Sequence, residues 1–315
     1  MIEARILSVE QLSPDVKSFA VEATTGERMP AAEPGSHIDL HLPNVLIRQY
    51  SLCEESDGSR YEFAVKRMPD SRGGSKYVHE NLAAGDVVTI SPPRNNFVLG
   101  RHPHTLFIAG GIGITPIIAM SRKLAAEGRS FALHYFCRDA AAPFDGFVDE
   151  LAAMGCAKRH LGLDPAATAH TLSGLLAGDL PAGTHVYVCG PEPLMDETVR
   201  LAAPKLGTRA VHLERFSPRR VDAGDADRAF AVKLARSGRV FDVPADKSLL
   251  SVLVAAGVRI SSSCQEGVCG SCVTGVLSGI PDHRDSFLTD EERNAGQDIC
   301  PCVSRANTPE LVLDL

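Results

Sequence analysis

The sequence has no excess of basic residues. Lysine and arginine total 32 against 39 acidic residues, a net charge of −7, whereas nucleic acid or an anionic membrane calls for a basic face. Neither is expected as the main partner. Long apolar runs are missing too. The longest, residues 106–120, is too short to cross a bilayer and is interrupted by glycines, Thr115 and Pro116. Met1-Ile2-Glu3-Ala4-Arg5 leads into no signal-peptide hydrophobic core, so the expectation is a cytoplasmic protein, and a monomer. No internal repeat, no low-complexity tract, and no Ser/His/Asp or paired-carboxylate arrangement is visible, so nothing points to acid–base hydrolysis. What is present is a chain of 315 residues, 44% hydrophobic and 23% charged, which is the balance of a globular protein long enough for two or three domains.

An even cysteine count is also missing. There are nine, in a chain too long to be a small disulfide scaffold, so a disulfide framework is excluded. Five crowd into the last fifth of the chain: Cys264, Cys269, Cys272, Cys300 and Cys302. Cys264-x4-Cys269-x2-Cys272, with a fourth cysteine after 29 intervening residues, is the plant-type spacing for a 2Fe-2S cluster. Three thiolates come from one tight loop and the fourth from a distant segment. Gly267, Gly270 and Ser271 let the backbone wrap closely enough for N–H groups to point at sulfurs. The alternative, a structural zinc site, normally takes its thiolates in two separated pairs. Cys300 and Cys302 are two apart and would share one face of a strand. Cys302 is favoured as the fourth metal ligand, for its spacing and the Val303-Ser304-Arg305 that follows.

Composition divides the chain into three blocks. Residues 1–101 read as short strands between turn signals, with one helical candidate at 76–82, which is the pattern of a small antiparallel barrel. Residues 102–222 alternate apolar strands (105–109, 131–136, 185–189) with helices, the pattern of a parallel sheet with ligand at the carboxyl ends of the strands. A charged, Gly/Pro-containing linker at 217–229 follows, and residues 229–315 carry strands, one helix near 247–256 and the cysteine cluster.

Two further sites are legible. Arg48-Gln49-Tyr50-Ser51 offers a cation, an aromatic ring and a hydroxyl, which can bind phosphate, cover a planar ring and bond to its edge. Arg72-Gly73-Gly74-Ser75 before a helix makes a phosphate nest. Alone, the first reads equally as an ordinary strand and the second more often as a plain turn, but together inside a barrel they point to a flavin mononucleotide. Gly110-Gly111-Ile112-Gly113-Ile114-Thr115-Pro116 is a strand-to-helix loop suited to a pyrophosphate, although Pro116 stands where the Rossmann fingerprint has its last glycine. Cys189-Gly190-Pro191, running on to Met195, would form the opposite wall of a nicotinamide cleft. Cys189 taken alone reads as a small core residue. Arg138 and Asp139 follow a strand where the adenosine ribose is usually met. Asp139 there favours NADH over NADPH.

These motifs, Arg48-x-Tyr50-Ser51-Leu52, Gly110 to Pro116, Cys189-Gly190-Pro191 and a carboxyl-terminal cluster ending in Cys302-Val303-Ser304-Arg305-Ala306, occur in this order in one family. Over its whole length the chain resembles the phthalate dioxygenase reductase family, which includes vanillate O-demethylase reductases. The resemblance implies a β-grasp ferredoxin domain at the carboxyl terminus, and FMN rather than FAD. It also implies the reductase component of a two-component Rieske-type oxygenase, docking transiently with its oxygenase. Arg48, Tyr50 and Ser51, with Ala64, Val65 and Lys66, would contact the flavin, Gln49 through its backbone only. Arg72, Gly73, Gly74 and Ser75 would hold its phosphate. Ser51, Thr115 and the aromatic Phe216 would stand at the reacting rings. A haem-thiolate monooxygenase is the alternative acceptor.

The cofactors explain one another. A nicotinamide gives up two electrons together as hydride and an iron–sulfur cluster accepts one, so a flavin, which handles both, must lie between. His212 and Glu214 read as structural. The run Asp282, Asp285, Asp290, Glu291 and Glu292 reads as acidic surface that could steer a basic partner.

Overall fold

The computed structural model describes residues 1–43, 46–69, 73–138, 142–216 and 228–315. Arg72, Asp139 and residues 217–227 of the expected linker lie outside the described residues. The chain divides into two compact units, Met1–Glu214 and Arg215–Leu315.

The first unit holds two sheets. Strands β1 (Ile2–Ser13), β2 (Val16–Ala23), β3 (Ser36–His41), β4 (Ile47–Ser51), β5 (Tyr61–Lys66), β6 (Val87–Ile90) and β7 (Arg94–Asn95) form an antiparallel sheet in the order β4-β3-β6-β1-β2-β5, with β7 on β3. Its two end strands meet through the Leu52–Phe63 bridge and the Tyr50–Phe63 ring stack, so the sheet curls toward a barrel with a seam between β4 and β5. Alternation along the strands sends Ile6, Phe19, Ile38, Leu40, Phe63 and Ile90 into one fully enclosed core. Helix α1 (Gly74–Asn81) lies beside β5, tied by the His79 imidazole to the Val65 carbonyl at 2.8 Å.

The second sheet is all parallel, as the alternating pattern predicts. Strands β8 (His104–Gly110), β9 (Phe131–Cys137), β10 (Ala157–Leu161), β11 (Thr184–Cys189) and β12 (Val211–Glu214) run in the order β10-β9-β8-β11-β12. Helices α2 (Ile114–Ala126), α3 (Asp145–Ala153), α4 (Pro165–Ala177) and α5 (Glu192–Leu206) connect them. Two cores flank the sheet, one built on Phe107, Ile117, Leu133 and Tyr187, the other on Leu106, Ile108, Leu172 and Val188. Burial on both faces is why β8 reads as an unbroken apolar run.

In the second unit, β13 (Phe230–Leu234), β14 (Val240–Val243), helix α6 (Leu249–Ala255), β15 (Thr274–Ser278), β16 (Pro281–Asp282), helix α7 (Asp290–Ala295), β17 (Asp298–Ile299), β18 (Arg305–Ala306) and β19 (Glu310–Leu313) follow in order. A mixed sheet β14-β13-β19-β15-β17 grasps α6 through Val232, Leu249, Leu253, Ile299 and Leu313. Ser248 caps α6 by accepting from the Ser251 N–H at 3.1 Å. The antiparallel barrel, parallel sheet and α+β grasp match the expected fold classes. One local expectation fails: Cys300 and Cys302 are not on a strand but in the turn between β17 and β18.

Candidate functional site

The barrel seam gathers the expected flavin residues. On β4, Arg48 and Tyr50 point to one side and Gln49 and Ser51 to the other. The Arg48 side chain lies across Gly74 so closely that a Cβ there would come within 2.6 Å of its Nε. That contact holds a guanidinium at the start of α1, beside the Gly73 cap, whose φ is 97°. A cation and a helix amino terminus together make a place for a phosphate, so the residues present fit that group. The Ser75 hydroxyl accepts from the Met68 N–H at 3.1 Å and fixes the loop from within. The Tyr50 ring stacks on Phe63 with centroids 5.5 Å apart, and burial holds its hydroxyl protonated. Gln49 turns away and donates to Asp39 at 3.1 Å. Ala64 and Val65 are buried on β5, while Lys66 reaches Asp15 at 3.2 Å.

The carboxyl ends of the parallel strands close on that seam. Ile112, from the glycine loop after β8, packs with Val16, Cys53 and Ala64 of the barrel. Thr115, buried at the start of α2, donates its hydroxyl to the Ile112 carbonyl at 3.0 Å and so shapes the loop. Pro116 takes the first turn of α2, where a missing N–H costs nothing. Gly110 and Gly190 meet backbone to backbone: a Cβ on Gly190 would stand 2.9 Å from Gly110 Cα, and one on Gly110 2.6 Å from Pro191 Cδ. Gly113 likewise abuts the Cys189 carbonyl. These glycines serve the joining of the two loops. Gly111 alone faces open space. Cys189 and Met195 are buried in the cores, and Arg138 is exposed at the end of β9. Phe216, just after β12, is 40% exposed.

Glu214 is the residue that the sequence reading undervalued. It ends β12, paired with Cys189 on β11, and accepts a hydrogen bond from the Ser51 hydroxyl at 3.1 Å. Burial pushes its carboxyl up to about 8, against the lowering effect of that bond. Burial, with the Glu214 charge behind it, also holds the Cys189 thiol well above its usual range. A carboxyl that stays mostly protonated at neutral pH, one hydrogen bond from a hydroxyl in the seam, is a place where a proton can be held or moved.

In the second unit the four expected thiols converge. Cys272 and Cys302 have sulfurs 3.4 Å apart, and Cys264 lies against Cys269. Backbone N–H groups already face sulfur, Glu266 toward Cys264 at 3.3 Å and Ser271 toward Cys269 at 3.4 Å. Gly267 and Gly270 have φ of 72° and 69°, and side chains there would run into Val303 and the Phe287 ring. Hydrogen bonds from neighbouring thiols lower Cys269 and Cys272 toward thiolate. Four soft donors in one pocket with N–H groups aimed at them fit an iron–sulfur cluster. Cys300, fully buried, also approaches Cys272, whereas Cys302 feels the charge of Cys264 in addition.

The expected acidic face is corrected at Asp285. That carboxylate is 3% exposed and accepts from the N–H groups of Phe287 and Leu288, at 3.1 and 2.8 Å, and from the Ser304 hydroxyl. It holds the segment against Gly267 and is no part of the surface. Asp282 pairs with Arg284, and Glu292 closes a capping box with Thr289 on α7. The Asp290 side chain lies outside the described residues.

Comparison with known proteins agrees with this division. The family described as an oxidoreductase FAD-binding domain matches residues 3–99, and the 2Fe-2S iron-sulfur cluster binding domain matches residues 232–307. The vanillate O-demethylase oxidoreductase of Pseudomonas sp. (strain HR199 / DSM 7063) is 42% identical over the whole of both chains. The solved phthalate dioxygenase reductase, titled as a modular structure for electron transfer from pyridine nucleotides to [2Fe-2S], is 40% identical. It covers all of this chain and 98% of its own, with a TM-score of 0.74. An intact self-sufficient cytochrome P450 monooxygenase also contains the fold, at 35% identity and a TM-score of 0.85; this chain spans 41% of that longer one. The chain therefore belongs to the phthalate dioxygenase reductase family, as an electron-transfer oxidoreductase with a flavin-binding domain and a 2Fe-2S domain.

Proposed function

We propose that this protein is the reductase component of a two-component Rieske-type oxygenase, carrying electrons from NADH through FMN to a 2Fe-2S cluster and on to the oxygenase. The observation that carries the reading is the pairing, in one chain, of an Arg48–Gly74 phosphate cradle beside a splayed barrel seam with a pocket of four thiols. Flavin, when bound, supplies the conversion of a two-electron donor into one-electron steps.

The chain's own residues supply position and protons. Arg48 and the Gly73-Gly74-Ser75 loop, with Arg72, hold the phosphate. Tyr50 covers one face of the ring, and the edges of β4 and β5 at Ser51 and Ala64 to Lys66 meet its polar rim. Ser51 bonds to the ring and is backed by Glu214, which takes or returns a proton through that hydroxyl. Thr115 shapes the loop that brings the nicotinamide in, with Gly110, Gly111, Gly113, Gly190 and Pro191 about the pyrophosphate and nicotinamide. Phe216 guards the ring. Arg138 and Asp139 read the ribose. Cys264, Cys269, Cys272 and Cys302 bind the iron. The functional domains are 1–101, 102–222 and 229–315.

FMN is favoured because the described residues of the barrel offer a phosphate nest and, among them, no added segment for adenine. Chromatography of the flavin released from purified protein tests this, and stoichiometric FAD would refute it. NADH preference is tested by the ratio of kcat/KM for the two nucleotides with ferricyanide as acceptor. A second reading, a haem-thiolate monooxygenase as acceptor, is supported by the P450 whose chain contains this fold. Reconstitution with purified Rieske and haem oxygenases separates the two.

A further inference from the structure

The parallel sheet carries a second group of metal-type ligands, unconnected with the four thiols. His102 lies in the segment between β7 and β8, His185 is the second residue of β11 and His212 the second of β12. All three are half-buried, and one ring nitrogen from each lies within 4.8 Å of the other two. We propose that His102, His185 and His212 form a site for one divalent first-row cation of the zinc type, with water completing the coordination.

The hydrogen-bonding pattern carries the argument. His185 Nδ1 and His212 Nε2 face each other at 2.9 Å, so one proton lies between two lone pairs. A cation can take both nitrogens once that proton moves to the other nitrogen of the ring that bears it, a change of tautomer with no net proton release. The Tyr187 hydroxyl donates to the Val98 carbonyl at 3.1 Å and accepts from the Gly100 N–H at 2.9 Å. His102 Nε2, 3.1 Å from that hydroxyl, therefore meets a lone pair and must carry a hydrogen, which leaves its other nitrogen as a donor toward metal. A polar partner that fixes the tautomer of a metal-binding histidine is the usual outer layer of such sites.

The local chain is shaped to bring the third imidazole in. Gly100 has no room for a Cβ because the His102 ring folds over it. The rings of His102 and His185 stack with centroids 3.4 Å apart. Tetrahedral zinc bonds require the three nitrogens to stand about 3.3 Å apart, and the proposal assigns that approach to a turn of the His102 ring out of the stack. Burial lowers His102 and, to about 4, His212, so both rings keep a lone pair at neutral pH. Arg129, a cation that bears on His102, is turned to the Gly100 carbonyl at 2.9 Å. Bound metal would clamp the segment at 98–102 across β11 and β12, where Tyr187 already holds it.

The test is equilibrium dialysis of the flavin- and cluster-loaded protein against micromolar zinc, followed by elemental analysis of zinc and iron. The proposal expects one zinc per chain with iron content unchanged. His185→Ala and His212→Ala should each weaken uptake at least tenfold, and Tyr187→Phe should weaken it severalfold while keeping flavin and iron. Should an alanine variant not accumulate, His185→Gln replaces it. No zinc uptake, uptake unaltered in the histidine variants, or uptake only as iron is lost to the thiol pocket would each overturn it.

Discussion

Single residues decide what each site can hold, and the cysteines show this most sharply. Cys302 sits 3.4 Å from Cys272 and within the influence of Cys264, so Cys302→Ser should abolish the paramagnetic signal of the reduced cluster while flavin stays bound. Cys300→Ser should leave that signal intact, and the reverse result would reassign the ligand. Arg48 is the corresponding residue in the barrel. Losing a charge-assisted contact costs about 1.5–3 kcal/mol, so Arg48→Ala should weaken flavin retention by roughly ten- to a hundredfold, read by fluorescence of released flavin. Glu214 gives a pH signature. Its folded carboxyl is raised to about 8, above its unfolded value, so the folded state binds the proton more tightly. Stability must therefore fall as pH rises from about 5 to 8, while the unfolded carboxyl is ionised and the folded one is not. Glu214→Gln should remove that slope from thermal unfolding curves across the same window. An unchanged slope would place the titration elsewhere. The cysteine spacing announced its chemistry because three ligands are local. Glu214 could not be found that way: its partner Ser51 is 163 residues away, and only folding brings the two together.

At the scale of elements, strand-to-loop junctions carry both the fold and the function. The glycines after β8 and β11 are legible as special, and the fold adds a second reason. A glycine-rich turn reads as room for a ligand, and at Gly110, Gly113 and Gly190 the space a Cβ would take is also filled by the neighbouring loop. Gly190→Ala would press a methyl against Gly110 Cα at 2.9 Å, an overpacking that costs about 1–3 kcal/mol. Its thermal midpoint should fall by several degrees, measured by circular dichroism; a midpoint equal to wild type would mean the loops part without cost. The same difficulty hid Asp285. In sequence it belongs to a run of carboxylates, and only the fold turns it inward to satisfy the Phe287 and Leu288 N–H groups behind the thiol pocket. Strand alternation and the apolar β8 run, by contrast, are set by burial on one or two faces, and they predict their sheets directly. Cys300 and Cys302 break that rule because a chain that must deliver a thiol into a pocket turns sharply, and period-two reasoning does not survive a turn.

For the whole molecule, the domain order has a chemical logic that the sequence already contained. A flavin-binding barrel and a parallel-sheet nucleotide domain share the first compact unit, and the cluster domain forms the second. The Ile112 loop packing on Ala64 and Cys53 brings the carboxyl end of the parallel sheet to the barrel seam, where the proposed donor and flavin would meet. On this reading electrons reach the cluster only by way of the flavin. It is tested by mixing anaerobic protein with NADH and following the reduced-cluster paramagnetic signal, first in the loaded protein and then after mild removal of flavin with iron content verified. The expected result is prompt flavin bleaching followed by the cluster signal in the loaded protein, no cluster signal without flavin, and its return when flavin is restored. A cluster signal that develops equally fast in the flavin-free protein would contradict it.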